Sequence, residues 1–294
     1  MRILVAGASG LIGGALVASL RRDGHDVRRL VRRPPAQADE IEWHPDTHEL
    51  PPTALTRVDA VVCLTGAPIP IGRPTPGVKS RIRASRVAAV ATLAEAIAAG
   101  EHRPSLIAAS AVGYYGDTGE ITVDESAPPG SGFLAGLCRD WEAAADPARA
   151  AGARVASLRS GVVLARHGGV LARLRPFVWL GVAGRLGSGR QFVSWVSLSD
   201  EVAAMRFLLD SDVSGPVNVT APNPVRNAEF VAAVARAMHR SAVLPVPALA
   251  LRVLLGEFAA DVLGGQRAVP AVLTRAGFAF RDTDLETTLR SVLT

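Results

Sequence analysis

Lysine is almost missing from this chain of 294 residues: Lys79 stands alone among 32 basic side chains, so positive charge is carried almost wholly by guanidinium. Tyrosine is nearly as rare, present only as the neighbours Tyr114 and Tyr115. Cysteine occurs twice, at Cys63 and Cys138, far apart and in no CxxC or Cys/His cluster. That excludes a disulfide framework and a structural zinc site, and makes a reducing cytoplasm the expected setting. No apolar run reaches the roughly 18 residues of a membrane span, and residues 1–6 show no leader pattern. The longest candidate, 245–263, is broken by Arg252, Glu257 and Asp261 and reads as an amphipathic packed helix. Basic runs never exceed pairs, so the net charge of +5 does not indicate nucleic acid. Neither a membrane nor a nucleic acid is an expected partner.

What is present is the composition of a globular chain, 49% apolar and 20% charged, of a size that makes one large or two modest domains. Strands are predicted at 2–6, 26–31, 58–64, 105–111, 154–158 and 217–220. Helices are predicted at 11–20, 87–99, 134–151, 202–209 and 228–238. Their alternation implies an α/β fold with a parallel, doubly wound sheet. Residues 166–192 read as a glycine-rich loop, and Ser197 to Asp200 has the spacing of a capping box.

The first strand runs into Gly7-Ala8-Ser9-Gly10-Leu11-Ile12-Gly13 and then a helix. Glycine is required there for a positive-φ turn, for close approach of backbone to a diphosphate, and for tight helix–strand packing. The helix N-terminus offers N–H donors and partial positive charge to the anion. The second strand ends Leu30-Val31-Arg32-Arg33, with no carboxylate for ribose hydroxyls. Two planar guanidinium groups suit a 2′-phosphate instead, so NADP(H) is the expected cofactor.

The glycine loop, Leu64-Thr65-Gly66-Ala67 and Ser110-Ala111-Val112-Gly113-Tyr114-Tyr115-Gly116 together resemble the extended short-chain dehydrogenase/reductases. Trp141-Glu142, Arg159-Ser160-Gly161-Val162-Val163-Leu164, Gly187-Ser188-Gly189-Arg190-Gln191, Thr220 to Val225 and Gly264-Gly265-Gln266-Arg267 resemble one atypical branch. Its members are called epimerase family protein, NAD-dependent epimerase/dehydratase or SulA-like, and end in a domain of unknown function. The resemblance spans the chain. It implies a Rossmann domain at 1–165, a chain return near 190–220, and a smaller, mostly helical C-terminal substrate or partner region at 221–294. It places the cofactor against Ser9, Gly10, Leu11 and Ile12, with Arg32 and Arg33 at the adenosine phosphate, Leu64, Thr65 and Gly66 beside the adenine ribose, Arg86 near the cofactor where typical members carry an asparagine, and Val162 on the nicotinamide side.

Typical members of that superfamily move a proton with a tyrosine, a lysine four residues later and a serine. Aligned on Glu142, Leu134 and Cys138 stand where the tyrosine and lysine belong, and Ala111 stands at the serine position with Ser110 one residue early. Tyr115, or Tyr114, and Ser110 are then the candidate catalytic groups, with Asp124, Glu125 and Cys138 as further options. Arg190, Gln191 and Trp195 are candidates for the substrate pocket, and Arg267 is a further one. The function stays open between an oxidoreductase or epimerase with a relocated acid, acting on an unidentified small molecule, and a non-catalytic NADP(H) sensor or assembly factor. A homodimer is open as well.

Overall fold

The computed structural model describes residues 1–70, 72–241 and 244–293. Seven parallel strands, β1 Arg2–Ala6, β2 Asp26–Val31, β3 Glu40–Glu42, β4 Ala60–Cys63, β5 Ser105–Ala111, β6 Val155–Ser160 and β7 Gly215–Val219, form one sheet in the order β7-β6-β5-β4-β1-β2-β3. The central strands read as continuous apolar runs because both faces are covered. The principal helices are α1 Leu11–Arg22, α2 Pro76–Ala99, α3 Phe133–Ala143, α4 Gly169–Trp179, α5 Leu198–Leu209, α6 Asn227–Ala237, α7 Ala248–Leu255 and α8 Phe258–Leu263.

One face of the sheet buries Leu16, Val17 and Leu20 of α1 with Val202, Met205 and Leu208 of α5. The other buries Ala89, Val90, Leu93 and Ile97 of α2 with Trp141 of α3. The sheet is therefore doubly wound, and its order reverses between β1 and β4. A ligand crevice opens at such a switch point, outside the carboxyl ends of the strands.

Local chemistry explains where the elements differ from expectation. Helix α2 starts at Pro76, well before residue 87, because Thr75 Oγ1 accepts from Val78 N and Pro76 is pre-set for the first turn. The expected single helix over 134–151 breaks into α3 and a short helix Asp146–Ala150. Pro147 lacks the N–H that continuity needs. Residues 166–192 are not all loop, since α4 lies within them. Ser197 does cap α5, its Oγ accepting from Asp200 N at 3.1 Å. The segment 245–263 is not one packed helix: it divides at Gly256, where φ is +58°, and α7 and α8 bury only Leu251 and Ala259.

The C-terminal part has its own core, where Phe230 and Val234 of α6 pack with Leu285 and Leu289 and against Trp195 and Leu171. It is tied to the sheet by a fully buried carboxylate, Asp200, which accepts from the amides of Arg281 and Asp282 at 3.1 and 2.9 Å. No helix among the described residues is long and apolar enough to cross a membrane.

Leu16 is fully buried between α1 and the sheet. Leu16→Ala is expected to destabilise the fold by about 3 kcal/mol, read as a lower urea midpoint at unchanged m-value.

Candidate functional site

The glycine loop sits at the switch point and its backbone geometry demands glycine. Gly7 has φ +85°, and a Cβ there would lie 2.8 Å from the carbonyl of Leu64. A Cβ on Gly13 would lie 2.2 Å from Gly7 O. These contacts bring β1, the first turn of α1 and the end of β4 into direct backbone contact. Helix α1 has Gly10 as its N-cap, with no side-chain cap and no acid in its first turn. The amides that open this helix are thus left without a side-chain acceptor, and they face the position that an anion would take. Ser9 and Gly10 are exposed, and Leu11 and Ile12 half-buried, along that turn.

At the adenosine end the two arginines differ. Arg33 is held in a forked pair by Glu40, with Nη1 and Nη2 each donating at 2.9 Å. Arg32 is exposed and has no ion pair among the described residues. It lines an open groove of about 680 Å³ with His44, Pro45, Asp46, Thr47 and Glu49. The sequence treats the two arginines alike, and the fold assigns them different neighbours.

Leu64 and Thr65 touch Gly7 directly, as above. Gly66 lies under Arg86: a Cβ there would meet Arg86 Cζ at 3.0 Å. Arg86 is half-buried, donates to the carbonyls of Ala67 and Ile82 at 3.0 Å each, and covers the Trp141 ring. It braces the loop that follows β4. Val162, just after β6, pairs with Trp195 in a short two-stranded piece, and Gly168 beyond it packs on Leu11. The glycine loop thus meets residues 64 and 65 through Gly7 and the segment after Val162 through Leu11, while Gly66 lies against Arg86.

Ser110 and Tyr115 belong to a buried polar network. Arg159, on β6, is 3% exposed and forks onto Glu142 of α3 at 2.8 and 2.9 Å. Ser110 Oγ donates to the same carboxylate at 2.7 Å. Arg159 Nη1 also donates to the Tyr115 hydroxyl at 3.0 Å, and that hydroxyl donates to Asn218 Oδ1 at 2.7 Å. Tyr115 is 4% exposed, and burial pushes its phenol up to about 12. Its partners are filled, and it is unsuited to give or take a proton near neutral pH. Tyr114 is stacked under the Arg159 guanidinium at 3.4 Å. Burial, and then Glu142, push the Cys138 thiol up to about 12, so it is a packed thiol and not a nucleophile. Glu125 is buried and accepts from the amides of Asn218 and Val272, while Asp124 turns back onto Ser126.

Of the proposed substrate-pocket residues, Arg190 and Arg267 meet around Glu120, with Gln191 next to the Phe192 ring that Arg267 covers, while Trp195 lies apart. Trp195 is fully buried, its Nε1 donating to Asn223 O at 3.1 Å, so it closes over no ligand: as the inward residue of a strand pair it belongs to the C-terminal core. Gln191 Nε2 donates to Leu186 O at 3.1 Å and stabilises the glycine turn. Arg190 projects into solvent, 4.0 Å from Glu120. Arg267 covers the Phe192 ring.

One group escapes the sequence reading altogether. At the end of β6, Ser160 Oγ donates to Glu201 Oε1 at 2.6 Å, while Glu201 Oε2 is buried without a partner among the described residues. Burial lifts this carboxyl from 4.5 to about 7.

The doubly wound sheet, the three glycines at its switch point and the uncapped helix define a Rossmann-type dinucleotide fold. The description "NAD dependent epimerase/dehydratase family" matches residues 3–221, and "Domain of unknown function (DUF1731)" matches 246–292. The chain belongs to the NAD-dependent epimerase/dehydratase family. It is 50% identical over 281 residues to an epimerase family protein of Mycobacterium bovis, covering 95% of this chain and 93% of that one. It is 35% identical to mouse epimerase family protein SDR39U1 over the whole of both chains. The crystal structure of human epimerase family protein SDR39U1 with NADPH superposes with a TM-score of 0.88 at 31% identity, covering 100% of this chain and 99% of that one.

Two outcomes follow from the buried groups. Tyr115→Phe should cost about 1–3 kcal/mol by stranding Asn218 Oδ1, while the heat of dinucleotide binding stays unchanged. A calorimetric titration that weakens in step with stability would instead put the phenol in the site. For Glu201 the folded chain favours the neutral acid, so its contribution to stability is whole below pH 4.5 and is lost as the pH rises to about 7. Glu201→Gln should flatten the stability profile across that window by up to about 3 kcal/mol, measured by urea unfolding at stepped pH.

Proposed function

We propose that this chain is an NADP(H)-binding oxidoreductase or epimerase that works without the tyrosine–lysine pair of its wider superfamily. The observation that carries the cofactor half is the uncapped, acid-free start of α1 beside an exposed Arg32 that has no ion pair among the described residues. The amides after Gly10 would hold the diphosphate, and Arg32 would take the 2′-phosphate as a planar fork. Arg33, already engaged by Glu40, contributes positive potential more than direct bonds. The NADPH of the human relative's crystal structure supports the same choice of cofactor. When bound, the nicotinamide supplies hydride chemistry. The residues of this chain would orient it: Leu64 and Thr65 at the ribose, Arg86 bracing the Gly66 loop, and Val162 on the nicotinamide side. A small-molecule substrate and a cytoplasmic setting belong to this reading.

A second reading, an NADP(H) sensor or assembly protein without turnover, draws on one specific observation. Ser110, Tyr115 and Cys138, which stand at or near the usual proton-transfer positions, are all buried and engaged, and the first two are closed into the Arg159 network. A screen of carbonyl compounds and nucleotide sugars separates the two: steady NADPH consumption marks an oxidoreductase, interconversion of sugars without net consumption marks an epimerase, and a sensor gives neither.

Cofactor binding is tested separately from turnover. Arg32→Ala should weaken NADPH about 10- to 100-fold by calorimetry and leave NADH within about twofold, as loss of a charge-assisted fork requires. Arg33→Ala should move NADPH far less. Equal losses for both dinucleotides in Arg32→Ala would remove the 2′-phosphate from this position.

A further inference from the structure

Helix α7, with the sequence ALALRVLL, is apolar on every side except at Arg252. Such a helix is normally covered all round. Here only Leu251 is buried, while Leu249, Val253 and Leu254 are 72%, 71% and 64% exposed. A second exposed apolar group ends α4: Phe177, Trp179 and Leu180, with Trp179 68% exposed. The two groups flank one seam. Gly187 N donates to Val246 O, Val246 N donates to Arg185 O, and the Arg240 guanidinium covers the Trp179 ring at 5.2 Å.

Four arginines border this seam: Arg166 and Arg175 beside Trp179, Arg240 over its ring, and Arg252 on α7. The first carboxylate beyond α7, Glu257, is paired with Lys79. Next to Trp179 lies an open groove of about 390 Å³ lined by Arg166, His167, Arg175 and Pro176. A second copy of this chain is a poor cover for such a face, because a two-fold interface would set guanidinium against guanidinium. A surface with anionic headgroups above an apolar layer meets both features at once.

We propose that the face formed by α7 and the end of α4 docks on an anionic lipid bilayer. Trp179, Leu249, Val253 and Leu254 enter the boundary between headgroups and acyl chains, while Arg166, Arg175, Arg240 and Arg252 meet lipid phosphates. This is a peripheral contact. The expectation of no membrane partner rests on the length of apolar runs, which tests spanning and not surface binding. Docking of this kind is independent of cofactor binding.

The test is flotation of the full-length protein with vesicles of phosphatidylcholine alone and of phosphatidylcholine with phosphatidylglycerol. Binding is expected only with the anionic vesicles and should fall with added salt. Of the four tryptophans, Trp43, Trp141 and Trp195 are buried, so a blue shift of emission on binding would report Trp179. Trp179→Phe should remove that shift. Leu249→Glu with Val253→Glu should abolish flotation at an unchanged thermal midpoint, and Arg166→Ala or Arg175→Ala should each weaken partitioning about fivefold. Three results overturn the proposal: no preference for anionic vesicles, flotation that survives the paired glutamates, or a dimer in vesicle-free light scattering that those glutamates dissolve.

Discussion

The fork between Arg159 and Glu142 governs the crevice side of this molecule. A guanidinium placed inside a strand of a sheet covered on both faces is tolerated only if every donor finds an acceptor. That requirement fixes α3 against β5 and β6 through Glu142, draws in Ser110, and turns the Tyr115 hydroxyl inward, where it donates to Asn218 on β7. Glu125 extends the same network to the amide of Val272, so the sheet and the C-terminal segment share one set of buried bonds. Removing any member leaves a stranded polar group. The network thus works as a structural brace.

The glycine loop follows the opposite logic. Helix α5 begins under Ser197, whose side chain satisfies one of its leading amides. Helix α1 begins at Gly10 with nothing comparable. Both start at the edge of the same fold, so the difference is specific to the position that faces the switch point. Hydrogen-bonding capacity is closed at Arg159 and left open at Gly10. The open end is the one suited to an anion, because an anion there replaces solvent and not an existing protein bond.

Much of this was legible in the residues. The βαβ start, the parallel order and the glycine loop follow from period and spacing, which depend on neighbours close in sequence. Fold membership followed from motifs spread along the chain. What escaped depends on contacts across long separations. Arg32 and Arg33 look equivalent until Glu40, on the edge strand β3, takes one of them; that strand, three residues long, carries no alternating pattern to announce it. Trp195 reads as a pocket aromatic because an apolar ring looks the same buried or exposed. Helix α4 hid among glycines and Pro176. Arg159 did carry a signal, since a lone cation in Val155 to Leu164 demands a buried carboxylate, but the sequence does not say that Glu142 supplies it. Glu201 left no trace, because an acid in a helix's first turn is ordinarily a solvated one.

The scarcity of lysine ties these sites together. Arg159 satisfies two carboxylate oxygens and a phenol at once, which a point-charge ammonium on one flexible stem cannot do. Arg33 forks onto Glu40 by the same geometry. Arg86 lies over Trp141 while its Nη1 still reaches two carbonyls. In each case the planar, weakly hydrated cation is held by several contacts at once. A chain built this way holds its arginine charge at any ordinary pH, while buried Glu201 is brought to titrate near neutrality. Lysine-dependent proton chemistry is absent for the same reason: Lys79, the one ammonium on a side chain, is paired with Glu257 beside α7 and lies outside the Arg159 network.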